Sequence, residues 1–483
     1  MTRDEERQAR LDLVAKQGVE PADAVRMVAA ASACGDVRGS GCPASVADTV
    51  VSARPVGGPV LDGGLAGLWE ARPELAHVRQ FAYSRMVAPW AVLGHVICQV
   101  LVRVPFTVVL PPLIGGYASL NFILATVAGS GAGKGAAKSA AASLVEWRGA
   151  SPGVFPHDLP LGTGEGITAT YRQYVSPKKD GDDGGGWEWV YPSHAASFTT
   201  DEIDVLTAQA NRQGATIMPV LRSAWSGETL GSTTAARERR IQVDPLAYRF
   251  VATLGVQPSR GHGLLRDASG GTPQRFLWLP ATDPGLPGWR TRPGYPGRLV
   301  VTLPPWPEHT GQADGFNVVT VADPVAAEIL DTHVANQRGE RDTLDGHAML
   351  AREKVAYALA VLNGHYDLTA EDWELAGMVM AVSDHTRAWM AATAETEHAR
   401  QAKEFLARKV AAQDEVNEAR DQALITKYKA WVVDLVKAGP VTANQVKHMK
   451  TNKYREQVET AITELVASGN LMEDDQGYLF FPR

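Results

Sequence analysis

The stretch LATVAGSGAGKGAAKSAAASLVEW, residues 124–147, constrains the chain more tightly than any other part of it. The apolar run NFILATVA breaks into AGSGAGKG and then turns alanine-rich, which predicts a buried strand, a glycine turn and a helix in immediate succession. A loop that cradles phosphate needs those parts. The strand delivers the chain, glycines let backbone N–H groups curl toward an anion, a lysine meets the terminal phosphates, and a helix N-terminus faces the charge. Gly129, Ser130, Gly131, Ala132, Gly133, Lys134 and Gly135 occupy that loop. The pattern departs at Gly135, where a Ser or Thr hydroxyl would ordinarily ligate Mg²⁺. The alternative is a glycine-rich strand-to-helix turn with an incidental lysine.

Hydrolysis at such a loop also needs a carboxylate at a strand end, to hold the metal and polarise a water. SFTTDEIDVL offers Asp201 as the metal-side carboxylate and Glu202 as the base, against a reading in which both acids favour the start of the next helix through its dipole. LPLGTGEGITATY puts Glu165 in a second glycine turn, either as a helix-start element or as a site-facing carboxylate. FVATLGVQPSR ends a strand in Gln257, placed to sense a terminal phosphate or its water, with Arg260 following; a satisfied polar residue at a sheet edge is the alternative. GGTPQRFLWLP places Arg275 just before the last strand, as an arginine finger for a neighbouring subunit or as a structural salt bridge. ATP and Mg²⁺ are the expected cofactors.

With 483 residues and 45% hydrophobic composition, the chain can bury roughly two to four folded units. The net charge of −7 gives no global attraction to nucleic acid or acidic lipid, so any such contact must be a local patch. Cys34, Cys42 and Cys98 are too few and too scattered for a disulfide framework. The charged N-terminus MTRDEERQARLDLVAKQ does not resemble a secretory signal. The apolar stretch from Met86 carries His95, Gln99, Arg103 and prolines, which favours a buried helix plus a strand over a membrane span. A cytoplasmic protein without membrane contact is expected.

The expected organisation is N-terminal helices over 1–33, a linker over 34–67, a helical lead-in over 68–118 and an α/β core over 119–283. A connection over 284–310, a helical lid-like domain over 311–395 and a charged connector helix over 396–420 follow. In the core, strands are expected at NFILATVA, SFTT, YRFVATLGV and RFLWLP, with helices after the first three, and KKDGDDGGGWEW as a hairpin tip or loop insertion. Residues 421–483 read as three helices and two short strands, the order of a winged helix. Its Lys447, Lys450, Lys453 and Arg455 form a local basic patch for DNA phosphates, diluted by Glu456 and Glu459; a protein-docking winged helix is the alternative.

The runs WEARPELAHVRQFAYSRMVAPWAVLG, SGAGKG, GTGEG, DEIDVL, MPVLRSAWSGETLG, LGVQPSRGHGLL, GTPQRF and TAEDWELAGMVMAVSDHTR together resemble a family of actinobacterial phage and mobile-element P-loop ATPases, described as DNA primase/helicase-like or as ATP- and DNA-binding proteins. The resemblance covers roughly residues 65–390. It implies a RecA/AAA+-like P-loop NTPase core related to replicative helicases, acting on DNA as a homo-oligomeric ring, with a hexamer as the expected size. It further implies Lys134 as the phosphate ligand, Glu202 in the acidic motif, Gln257 as the sensor, Arg275 as the trans-acting cation and Arg352, in HAMLAREKVA, in the helical lid beside the nucleotide. No primase catalytic cluster precedes the loop. An ATP-driven DNA motor is therefore the first expectation, and a nucleotide-controlled DNA-binding switch the second.

Overall fold

The computed structural model describes residues 65, 67–149, 155–175, 188–210, 212, 215–231, 241–261, 264, 271–306, 315–340 and 347–482. The helices expected over 1–33, the linker apart from Leu65 and Gly67, and KKDGDDGGGWEW apart from its last two residues lie outside the described residues. The flanks of that last insertion, Gln173–Val175 and Glu188–Val190, pair antiparallel as a ribbon.

Two helices lead into the core. Helix α1 (Pro73–Ser84) and helix α2 (Pro89–Arg103) each start on a proline, whose fixed φ suits the first helical position and whose missing N–H costs nothing there. All of α2 except Gln99 and Arg103 is buried. It is hydrophobic all round because it is enclosed between the sheet and neighbouring helices. No helix among the described residues is long and apolar enough to cross a membrane.

The central sheet contains β1 (Phe122–Val127), β2 (Leu159–Pro160), β3 (Ala195–Thr200), β4 (Arg249–Val256) and β5 (Leu277–Pro280), all parallel in the order β5-β1-β4-β3-β2. Helix α3 (Lys134–Leu144) follows β1, α4 (Gly164–Tyr171) follows β2, and α5 (Ile203–Ala210) and α6 (Ile217–Ser226) follow β3. Every residue of β1 is buried, and its side chains alternate between two apolar layers. Phe122 and Leu124 pack with α1 to α3, while Ile123, Ala125 and Val127 pack with α4 to α6. Each of the larger side chains stabilises by roughly 1.5–3 kcal/mol. A charge at Leu124 would break the layer on α2.

Two buried polar residues hold the strands in register. Asn121 donates to Ala224 O at 2.6 Å and accepts from the Phe250 N–H at 2.9 Å, tying the start of β1 to α6 and β4. The Arg249 guanidinium, fully buried, donates to the carbonyls of Val104, Pro105 and Val108, which fastens β4 to the end of α2.

The sequence-predicted strands all form, with one strand more. β2 escapes notice because two residues carry no periodicity. After β4 comes a 3-10 turn, Pro258–Arg260; of residues 262–270 only Leu264 is described, and it is helical.

Beyond the sheet, α7 (Asp323–Gln337) and α8 (Ala348–Asn363) precede α9 (Ala370–Ala438), a single helix of 69 residues. At 1.5 Å per residue it extends about 100 Å. The boundaries expected at 395/396 and 420/421 both fall inside it, because nothing from Ala370 to Ala438 is proline and Gly377 is its only glycine. A capping box between Thr369 and Asp372 starts it. The C-terminal residues then run β6 (Val441–Thr442), α10 (Ala443–His448), α11 (Arg455–Ala467), β7 (Met472–Glu473) and β8 (Tyr478–Phe480), with an antiparallel sheet in the order β6-β8-β7. The first of these strands was not legible in the sequence, being only two residues long.

Candidate functional site

The loop between β1 and α3 needs two of its glycines for geometry. Gly131 and Gly133 have φ of +71° and +91°, in the left-handed region that a Cβ disfavours. They turn the chain so that α3 begins at Lys134 with its first-turn N–H groups unused by the helix itself. The Ala128 N–H bonds to Val256 O and the Ala281 N–H to Val127 O, so the loop starts from a point clamped by β4 and the chain leaving β5. The Lys134 ammonium folds back over the loop and donates to the carbonyls of Ala128 and Gly129 at 2.8 and 2.9 Å. Burial lowers its pKa, opposed by the charge of Glu202.

A cleft of about 310 Å³ opens at the carboxyl ends of β1, β3 and β4. Ser130 to Gly135 form one wall; Asp201, Glu202 and Gln257 form the others. The Asp201–Glu202 corner is held by a hydrogen bond from Thr200 Oγ1 to Glu202 O at 3.1 Å. It is also held by contact with β4: a Cβ on Gly255 would lie 2.2 Å from Asp201 O. Six of the expected loop residues thus share one space with both acids and Gln257, while Gly129 contributes its carbonyl to Lys134. No group of three or more His, Cys, Asp or Glu that could hold a metal occurs among the described residues. The acidic pair suits a cation that takes one or two carboxylates and completes its shell with phosphate and water, as Mg²⁺ does.

Among the lining residues not singled out as site residues from sequence are Lys138, Thr199, Thr253 and His95. Lys138 lies one helical turn after Lys134 on the same face, a spacing that could have flagged it. It donates to Thr199 Oγ1 at 2.9 Å and pairs with Asp158 at 3.2 Å, while Thr253 Oγ1 donates to Thr199 Oγ1 at 3.1 Å. His95, on α2, has no local signal. It also lines a second cavity of about 270 Å³ with Cys98, Arg103, Trp147 and Phe155. Burial, with the charge of Lys138 adding to it and Asp158 opposing, lowers the His95 pKa to about 4. The ring is therefore neutral at neutral pH, and its Nε2 has no hydrogen-bond partner among the described residues.

Other expected residues sit elsewhere. Arg352 does not reach the cleft: its guanidinium donates to Trp373 O and to Glu328 and lies 3.9 Å from the Trp373 ring centre. Arg275 is also outside it, donating to Gly271 O and lying over Trp225 of its own chain. Glu165 accepts from Thr216 Oγ1 in the first turn of α4, which Thr163 caps, so it is the helix-start element and not a cleft carboxylate. Arg260 pairs with Asp204 on α5.

At the C-terminal end, Lys447 pairs with Glu459 on α11, Lys450 lies 4.3 Å from the Trp431 ring centre, Lys453 lies over Tyr454, and Arg455 opens α11. The expected basic patch is therefore partly neutralised within its own fold. No protein-family model matches the chain, and no curated protein is significantly similar to it.

Proposed function

We propose that the chain is a P-loop ATPase that couples nucleotide to DNA, most simply as a ring-forming motor. The observation that carries this reading is the cleft where Lys134, Asp201, Glu202 and Gln257 converge on a glycine loop with two left-handed glycines. The strand order supports it. In an open parallel sheet, ligands occupy the crevice at the carboxyl ends where the chain reverses its direction of sheet growth. Here β1 is that point, since β5 joins it on the side opposite β4.

In this reading the loop N–H groups and Lys134 would hold the phosphates, the ammonium exchanging its two loop carbonyls for phosphate oxygens. Asp201 would hold Mg²⁺, which when bound neutralises charge on the phosphates. Glu202 would accept a proton from the attacking water, and Gln257, between the loop and the acids, would orient that water. The β6–α10–α11–β7–β8 order, preceded by the end of α9, is that of a winged helix and would supply a DNA contact. Arg275 would act on a neighbouring subunit only after leaving its Trp225 contact.

One observation favours the second reading, a nucleotide-controlled DNA-binding switch: Gly135 provides no hydroxyl for the metal. Steady-state ATP hydrolysis, with and without single- and double-stranded DNA, separates the two. A motor gives DNA-stimulated turnover that Lys134→Ala and Glu202→Gln both abolish. ATP-dependent DNA affinity without turnover establishes the switch, and turnover indifferent to Lys134→Ala refutes the site.

A further inference from the structure

The chain leaving β5 passes beside the glycine loop, with Ala281 O 4.0 Å from where a Cβ of Gly133 would lie, and then crosses α1. This crossing segment has an unusual composition. Between Asp283 and Glu308 there is no acidic residue, while Arg290, Arg292 and Arg298 all occur. The same segment exposes two large aromatic rings, Trp289 at 67% and Tyr295 at 55%.

Large rings left in water on a mobile loop would be unremarkable, but this loop is braced. Pro284, Pro287, Pro293 and Pro296 restrict its backbone. Tyr83 of α1 donates to Asp283 at 2.9 Å, His77 Nε2 donates to Gly297 O at 3.1 Å, and the Thr291 N–H bonds to Gly288 O at 2.9 Å. Tyr295 rests on Phe81 with ring centres 5.5 Å apart, and Arg85 lies 5.1 Å from the Tyr295 ring centre. Arg290 lies 4.9 Å from the Trp289 ring centre. Both rings are thus presented on a fixed surface, each with an exposed guanidinium beside it.

From this arrangement we infer that the segment Asp283–Arg298, seated on α1, is a stacking platform for single-stranded DNA. Unpaired bases offer π-faces that stack on Trp289 and Tyr295, and the phosphates between them meet Arg85, Arg290, Arg292 and Arg298. A duplex, with its bases already stacked, cannot use the rings, so the platform discriminates by strandedness and not by sequence. The inference extends the DNA half of the proposed function and is independent of nucleotide hydrolysis.

The test is fluorescence anisotropy of labelled oligo(dT) and of a duplex of equal length, titrated with the full chain at several salt concentrations. Trp289→Ala and Tyr295→Ala are each expected to weaken oligo(dT) binding about tenfold with little change for duplex, and Trp289→Phe to restore most of the loss. The Arg290→Ala/Arg292→Ala double variant should lower the slope of log affinity against log salt by about 1.4. Titrated without nucleotide, the wild-type chain should already bind oligo(dT), so the measurement does not pass through the nucleotide site. Failure of the ATPase reading therefore leaves this result standing, and the reverse also holds. Unchanged oligo(dT) affinity in both aromatic variants overturns the platform. So does an equal loss for duplex, or a fall in oligomer mass by light scattering, which would make this face an interface between copies.

Discussion

Gly255 offers a direct test of how the acidic corner is positioned. It is the residue of β4 that lies against Asp201, one step past the pairing of Leu254 with Thr200. In a Gly255→Ala variant the new Cβ would stand 2.2 Å from Asp201 O, 3.0 Å from its carbonyl carbon and 3.4 Å from its Cα. The obstacle is backbone, so no rotamer relieves it. The Asp201–Glu202 corner must retreat by about 1 Å, and a misplacement of that size costs on the order of 10²-fold in rate. Overpacking at a buried site costs roughly 1–3 kcal/mol of stability. The three atoms nearest the added methyl all belong to Asp201 and none to the glycine loop, so nucleotide affinity should stay within about threefold of wild type. The assay is steady-state ATP turnover beside the affinity for a fluorescent ATP analogue, with a thermal melt to confirm that the variant is folded. Full turnover in a folded Gly255→Ala variant would refute the role of the corner. An affinity loss as large as the rate loss would place the damage in the loop instead.

Three further outcomes can be checked. Gly135 faces open space, so Gly135→Ser should fold normally and, by supplying a hydroxyl, tighten Mg²⁺-dependent nucleotide binding severalfold; an unchanged Mg²⁺ titration would mean another hydroxyl already serves. Asp372, fully buried, pairs with Arg72 at 2.9 Å and accepts from the Thr369 N–H, so Asp372→Ala should lower unfolding free energy by about 3–5 kcal/mol in denaturant melts, and a loss below about 1 kcal/mol would show the pair to be dispensable. His95 has a pKa of about 4 when folded against an unfolded value of about 6.5. The unfolded chain therefore takes up the proton first, and stability present above pH 6.5 is lost as pH falls toward 4, by about 3 kcal/mol. His95→Gln should flatten the denaturation midpoint over that window, and parallel pH profiles would count against a buried neutral ring.

How much of the site was legible in the sequence follows from the range over which each constraint acts. Lys134, the left-handed Gly131 and Gly133, and the alanine-rich helix after them lie within a few residues of one another, and local propensity alone decides their conformation. The acids after SFTT and the glutamine after FVATLGV could be read because a parallel strand must end in a loop on the same side of the sheet each time. Arg352 could not be placed from its helix alone, since its partners, Trp373 and Glu328, come from two other helices. His95 likewise reaches the cleft from α2, with no pattern around it to mark it.

Local patterning along the chain is therefore enough for the set of elements and the chemistry at their ends: a strand, glycine loop and helix around Lys134, and polar residues closing β3 and β4. Which strands become neighbours is settled by long-range packing. The order β5-β1-β4-β3-β2 puts Gln257 between the loop and the acidic pair. It depends on β4 pairing with both β1 and β3, contacts between segments tens of residues apart that no local pattern encodes. Strand neighbours are chosen by which apolar faces bury together and by the hydrogen bonds that Asn121 and Arg249 make at the amino-terminal ends of β1 and β4, and those energies exist only once the chain has closed on itself.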